Sequence, residues 1–349
     1  MNEAPLLQPG RSRIDFLVSA SRGLGRLVSV VNRQVDALGI AIDKLPDDLD
    51  ERDAFVSSQL AGSDAFRTAE SLQSYLGKAH GKVAREAFEA MAAKLLPELR
   101  ALEAKGPATL TLDPQLVMPD YYQGVEFHST RGGWDGHEEQ GYIHGEIVHR
   151  LLVAKIFALG DMFAHRRSVL EELPPQDYRD ILELGTSSGH FTVALQEHFP
   201  DAHITGIDLA APMLRQALRV ANENGWNWTL RQMAAEKLDF ADHSFDLVTA
   251  YSFLHEMPER AIRATYREAH RVLRPGGCLL IGDITPYAVQ DKLAMWRADR
   301  SAKRGGEPLW RESAQLDWAG IAREEGFTDA TGRGLPPKHF PWIVRGTKA

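Results

Sequence analysis

The sequence predicts an α/β fold, a mostly parallel sheet with helices on both faces, preceded by a region built of helices. Three observations carry this. From Tyr178 onward, short apolar runs alternate with helical patterns, the signature of βαβ units around a parallel sheet. The first of those runs opens ILELGTSSGHF (Ile181 to Phe191), where an acid, a glycine, three small residues and a second glycine precede a helix. Before residue 106, apolar residues recur at helical spacing.

In chain order, Ile14, Leu17, Val18, Leu24, Leu27, Val28, Val31, Val35 and Leu38 mark a first helix, with Arg11, Arg13, Arg22, Arg26 and Arg33 between them. Those arginines face either solvent or an anionic partner. Pro46-Asp47-Asp48 breaks the pattern, and a second helical tract runs from about Asp64 to Lys105, stopped by Gly106-Pro107. Residues 107–145 are dense in glycine, aromatics and histidine without a clean period, and read as an ordered loop. A helix from about Gly145 to Leu173 follows, ended by Pro174-Pro175. Strands are expected at Arg179–Leu184, His203–Leu209, Phe245–Tyr251 and Cys278–Asp283, and helices at His190–His198, Pro212–Asn224 and Glu259–Leu273. Right-handed crossovers put those helices on both faces. The chain therefore divides into a helical N-terminal domain (1–106), an aromatic and histidine-rich lid segment with a linking helix (107–177), and a ligand-binding sheet domain (178–349).

Composition narrows the function. With 349 residues, 44% hydrophobic and 25% charged, the chain has material for a sizeable core. A net charge of −8 and a pI near 5.9 argue against non-specific binding to nucleic acid. Cys278 is the single cysteine, so no internal disulfide or cysteine-based zinc cage forms. The opening MNEAPLLQPG lacks the charge and apolar run of a signal peptide. Leu151 to Ala164, the most apolar stretch, is too short and too charged to span a bilayer. A cytoplasmic protein without membrane contact is expected.

In a parallel sheet, ligands bind beyond the carboxyl ends of the strands where strand order reverses. Gly185 permits the tight turn, and Gly189 a close approach of the chain to a ligand. Dinucleotide loops usually carry a further glycine where this chain has Ser187. Its Cβ hinders a pyrophosphate nestling on the helix N-terminus, whereas a phosphate-free ligand is less demanding. Asp208, at the end of the second strand, is placed to accept hydrogen bonds from both ribose hydroxyls of an adenosine.

IDLAAPML (Ile207 to Leu214), FADHSFDLVTAYSFLHEMP (Phe240 to Pro258) and RVLRPGGCLLIGD (Arg271 to Asp283) resemble class I S-adenosylmethionine-dependent methyltransferases. Within them the resemblance is to the group containing quinone-biosynthesis C-methyltransferases and many small-molecule methyltransferases. It covers about Tyr178 to Lys348. It implies a Rossmann-like seven-stranded sheet with an antiparallel final strand, for which Phe340 to Arg345 fits, and S-adenosyl-L-methionine as cofactor. Carried over by position, Gly185, Thr186, Ser187 and Gly189 line the methionine end, with Glu183 beneath. Asp208 holds the ribose, Leu209 and Met213 border the adenine, Ala235 and Glu236 lie at its rim, and Tyr251 contacts the methionine moiety through its backbone. Two positions depart from the pattern: Ser187, and Ala234 where an aspartate often meets the adenine amino group.

Methyl transfer from a sulfonium is an in-line displacement needing alignment and a dry pocket. A base helps where the acceptor must lose a proton, and histidine suits it. His255, after the fourth strand, and His190, opening the helix after the glycine loop, are the catalytic candidates, each with a structural alternative as a packing or capping residue. Glu256 is a lesser one. Tyr121, Tyr122, His128, Arg131, Trp134, Tyr142 and His144 offer aromatic walls and polar handles for a small organic acceptor, or else join the helices to the sheet. His128, His137, His144 and His149, with Glu138 and Glu146, invite a metal, but their spacing matches no compact motif and the displacement needs none, so no metal is expected. The expectation is methyl transfer to a small molecule, with a homodimer contact through the N-terminal helices. The alternatives are cyclisation or aminocarboxypropyl transfer with the same cofactor, an NAD-dependent oxidoreductase, and a non-catalytic binding protein.

Overall fold

The structure is a computed structural model that describes residues 4–156, 163–336 and 339–349. Eight strands form one sheet: β1 (Thr109–Thr111), β2 (Asp180–Leu184), β3 (His203–Asp208), β4 (Thr229–Gln232), β5 (Phe245–Tyr251), β6 (Leu273–Asp283), β7 (Thr331–Gly334) and β8 (Trp342–Thr347). Their order is β1-β4-β3-β2-β5-β6-β8-β7. Pairing is parallel from β1 to β6, and β8 runs antiparallel to both β6 and β7. The seven strands from β2 onward form the mostly parallel sheet expected, with its antiparallel closing strand. β1 is an addition at the edge, from a segment read as loop. Three residues carry too short a pattern to reveal a strand, and here the pairing of Thr109 with Thr229 makes one.

The inner strands are buried on both faces, so they read as nearly unbroken apolar runs. In β2, Leu182 and Leu184 pack with Ile262 and Tyr266 of the helix Glu259–Val272, while Ile181 packs on the other face with Phe191, Leu195 and Ala217. Strand order reverses at β2, with β3 on one side and β5 on the other. The crevice beyond their carboxyl ends is where a ligand is expected.

The helices Gln8–Ala37 and Asp64–Glu89 pack together, and Ala92–Ala104 follows after a break at Ala90-Met91. The break at Pro46 to Asp48 is a helix start. The Asp48 carboxylate accepts the N–H groups of Asp50 and Glu51 at 2.9 Å and opens Leu49–Gln59. The linking helix begins earlier than expected, at Gln140, and its stretch Ile143–Val153 is a π-helix, followed by Ala154–Ile156 and then Ala164–Leu170. Residues 157–162, inside both the expected helix and the apolar stretch Leu151 to Ala164, lie outside the described residues. Ile143, Ile147 and Leu151 join Ile14, Leu17, Val83 and Phe88 in the helical core. The helix Lys292–Gly305 returns from the sheet to the N-terminal helices: Trp296 donates from Nε1 to Asp53 at 2.8 Å, and Arg300 bridges Asp53 and Glu70. No described helix is long and apolar enough to cross a membrane.

Candidate functional site

Beyond β2 the chain turns at Gly185, with φ 67°, where a Cβ would sit 2.4 Å from the Phe253 ring. Ser187 adopts φ 50°. The residue in the glycine's place thus still takes the left-handed conformation, at a cost of about 1–2 kcal/mol. The next strand holds it there. Ser187 donates its N–H to Asp208 Oδ2 at 2.8 Å, Ala210 donates to Oδ1 at 2.8 Å, and Thr186 N–H reaches the Ile207 carbonyl at 2.9 Å. Gly189, with φ 86°, serves differently from expectation. Its Cβ position meets Trp228 at 3.2 Å and Ala217 at 3.3 Å, so it lets the helix His190–His198 seat on the core and does not face the cavity.

A cavity of about 350 Å³ fills the crevice. Glu183, Gly185, Thr186, Ser187 and Asp208 line one wall, Leu209, Met213, Ala235 and Glu236 lie past the ends of β3 and β4, and Tyr251 lies on the other side of β2 at the end of β5. The opposite wall comes from the segment before the sheet: Tyr121, Tyr122, His128, Trp134 and His144. His255 and His190 also line it. Two expected acceptor residues lie elsewhere. Arg131 is exposed on its loop, and Tyr142 is buried in the helical core with its ring 5.7 Å from Phe88.

Burial dominates the electrostatics. It lifts Glu183 to about 8, against the Thr192 hydroxyl donated at 2.5 Å, so Glu183 is protonated at neutral pH. It lifts Asp208 to about 6, against the two N–H groups it accepts. Burial opposes charge on His255, but the Asp283 carboxylate, 2.7 Å from Nδ1, overrides it and raises His255 to about 9. Asp283 is itself fixed by the N–H groups of Phe253, Leu254 and Ile284 at 2.6–2.7 Å. His190 is buried and pushed well below its ordinary value, first by burial, then by Arg166 and Arg150. Two buried oxygens of residues that line the cavity, Thr186 Oγ1 and Glu236 Oε2, have no hydrogen-bond partner among the described residues, while Glu236 Oε1 accepts from the Tyr121 hydroxyl at 2.6 Å.

The π-helix makes a contact an α-helix would not. His144 and His149 are five residues apart, yet their rings lie 4.2 Å apart, and His149 Nδ1 sits 3.2 Å from His190 Nδ1. The histidine set singled out in sequence does not converge. His137 packs on Phe88, Glu138 is exposed, and Glu146 pairs with Arg150. His128 instead meets two acids from distant segments. Its Nδ1 lies 2.7 Å from Glu307 and its Nε2 3.2 Å from Glu256, whose other oxygen accepts from Trp134 Nε1 at 3.0 Å. Glu307 follows the helix Lys292–Gly305, in a stretch with no sequence motif to flag it.

Residues 181–277 match the family model described as a methyltransferase domain. Among curated proteins, the chain is 34% identical over 122 residues to the malonyl-[acyl-carrier protein] O-methyltransferase of Legionella pneumophila, covering 34% of this chain and 41% of that protein. It is 30% identical over 177 residues to the ubiquinone/menaquinone biosynthesis C-methyltransferase of Desulfotalea psychrophila, covering 51% and 69%. It is 35% identical over 148 residues to the demethylmenaquinone methyltransferase of Thermus thermophilus, covering 40% and 64%. The chain thus spans less than two thirds of the first and third of these relatives.

Proposed function

The chain belongs to the class I S-adenosylmethionine-dependent methyltransferases, and from that premise we propose that it transfers a methyl group to a small organic acceptor held in the cavity. The observation that carries the reading is the half-buried Asp208 at the end of β3. It faces the Gly185–Gly189 loop across the point where strand order reverses, on the wall of a cavity closed by aromatic side chains. The residues fit the cofactor. Gly185 lines the cavity without a side chain, Asp208 offers carboxylate oxygens to a ribose, and Glu236 Oε2, without a partner among the described residues, takes an adenine amino group where Ala234 has no acceptor. The cofactor supplies an electrophilic methyl on a sulfonium. The protein's share is alignment and exclusion of water.

His255, fixed through Nδ1 by the Asp283 carboxylate, lines the cavity wall on the acceptor's side. His190, kept neutral by burial and by Arg166 and Arg150, lines the cavity with its Nδ1 3.2 Å from His149 Nδ1. The helices before residue 106 and the segment 107–177 shape the acceptor wall. In the same reading the protein is cytoplasmic, does not act on nucleic acid, and forms a dimer that covers Phe16, 57% exposed on the first helix.

Calorimetry with S-adenosylmethionine tests the site. Asp208→Asn should weaken binding by about 10–100-fold, since a hydrogen bond to a charged acceptor contributes about 1.5–3 kcal/mol. Wild-type affinity should fall as the pH drops below about 6, where Asp208 takes up a proton. Unchanged binding in the variant would sink the assignment. The by-product tests the reaction: S-adenosylhomocysteine supports methyl transfer, and methylthioadenosine overturns it.

A further inference from the structure

The geometry points to a divalent transition-metal site at the acceptor end of the cavity, formed by His128, His255, Glu256 and Glu307. One ligand atom from each lies within 4.8 Å of the others. A first-row ion bound at about 2.0–2.2 Å sets its ligands about 3–4 Å apart, so the four need close by only ~1 Å. The side chains come from three separate segments: the turn Phe127–Ser129, the turn Leu254–Glu256 after β5, and the residues just past the helix Lys292–Gly305.

Their outer partners are those of a ligand set. His255 gives Nδ1 to Asp283 at 2.7 Å, which fixes the ring and leaves Nε2 as its coordinating nitrogen. A carboxylate behind a ligating imidazole is the usual support for such a residue. Glu256 is oriented by the Trp134 N–H at 3.0 Å. Glu307 Oε2 is buried and has no hydrogen-bond partner among the described residues. Left as it stands, that oxygen costs about 1–3 kcal/mol, and a bound cation would satisfy it. Three carboxylates, Asp283, Glu256 and Glu307, surround two imidazoles.

Two imidazoles and two carboxylates suit zinc, iron(II), cobalt(II) or manganese(II), and the nitrogens select against magnesium and calcium. All four side chains line the cavity that Glu183 and Asp208 also line, so the ion's remaining positions open toward the acceptor. Resting on the methyl-transfer reading, this names the acceptor class: a molecule that chelates through two adjacent oxygens, whose anionic form the ion stabilises as a Lewis acid.

The test is titration of the chelator-treated full chain with cobalt(II), without S-adenosylmethionine, followed by its visible ligand-field bands. One equivalent is expected to bind. His128→Ala and Glu307→Gln should each weaken binding at least tenfold, and His137→Ala, outside the cluster, should leave it unchanged. Circular dichroism checks that the variants are folded, and Glu307→Gln preserves side-chain volume. No stoichiometric binding by the wild type, or equal binding by both cluster variants, overturns the site whether or not the protein methylates. Catechol should then shift the bands, and unchanged bands overturn the acceptor class alone.

Discussion

Glu183 shows how one buried side chain ties the site to stability. Its carboxyl, lifted to about 8 by burial, holds a proton in the folded chain that the unfolded chain releases near its ordinary value of 4.5. Its contribution is therefore fully present below about pH 4.5 and is lost as the pH rises toward about 8. Glu183→Gln keeps an oxygen for the Thr192 hydroxyl but cannot ionise. Its melting temperature should gain on the wild type progressively between about pH 5 and 8. A constant difference across that range would refute this account. Residues of this kind were legible in sequence because each stands next to a strand end. Ser187 was also legible as an oddity, but not how it is tolerated: its positive φ is held by a hydrogen bond to Asp208, twenty-one positions away.

At the scale of elements, the helix that starts at Gln140 crosses the helix Ala211–Asn224 at Gly141. A Cβ there would lie 2.3 Å from the Pro212 carbonyl oxygen and 2.7 Å from Gln216 Cβ. Backbone has to move to admit it. Gly141→Ala should lower stability by about 1–3 kcal/mol, as overpacking does, read as a lower denaturant midpoint. It should also weaken cofactor binding, because Met213 on that helix lines the cavity. The βαβ elements were legible because each repeats a local period. The π-helix was not, because a five-residue spacing leaves no local period to mark it. On an α-helix His144 and His149 would point apart, and here their rings lie 4.2 Å apart. The cluster at His128 was invisible for another reason: its members are contributed by turns with no period at all, up to 179 positions apart.

At the scale of the whole molecule, charged pairs join the helices to the sheet. Arg219, 1% exposed, lies between Glu103 of the helix Ala92–Ala104 and Glu139, which is 2.5 Å away. Removing a buried charge leaves its partners uncompensated, at about 3–5 kcal/mol. Arg219→Met should therefore lower the unfolding free energy by that amount, measured by denaturant titration, and a change below about 1 kcal/mol would show that the pair contributes little. The strand β1 carries the same connection into the sheet itself: Thr109 donates its N–H to the Trp228 carbonyl at 2.9 Å and pairs with β4. The cofactor-binding half is consequently not a detachable cassette. A fragment cut at Tyr178 would lose one wall of its cavity. It would also bare the outer backbone of Thr229–Gln232, an open template on which a second copy can add a strand, so that solubility and substrate recognition would be lost with the same cut.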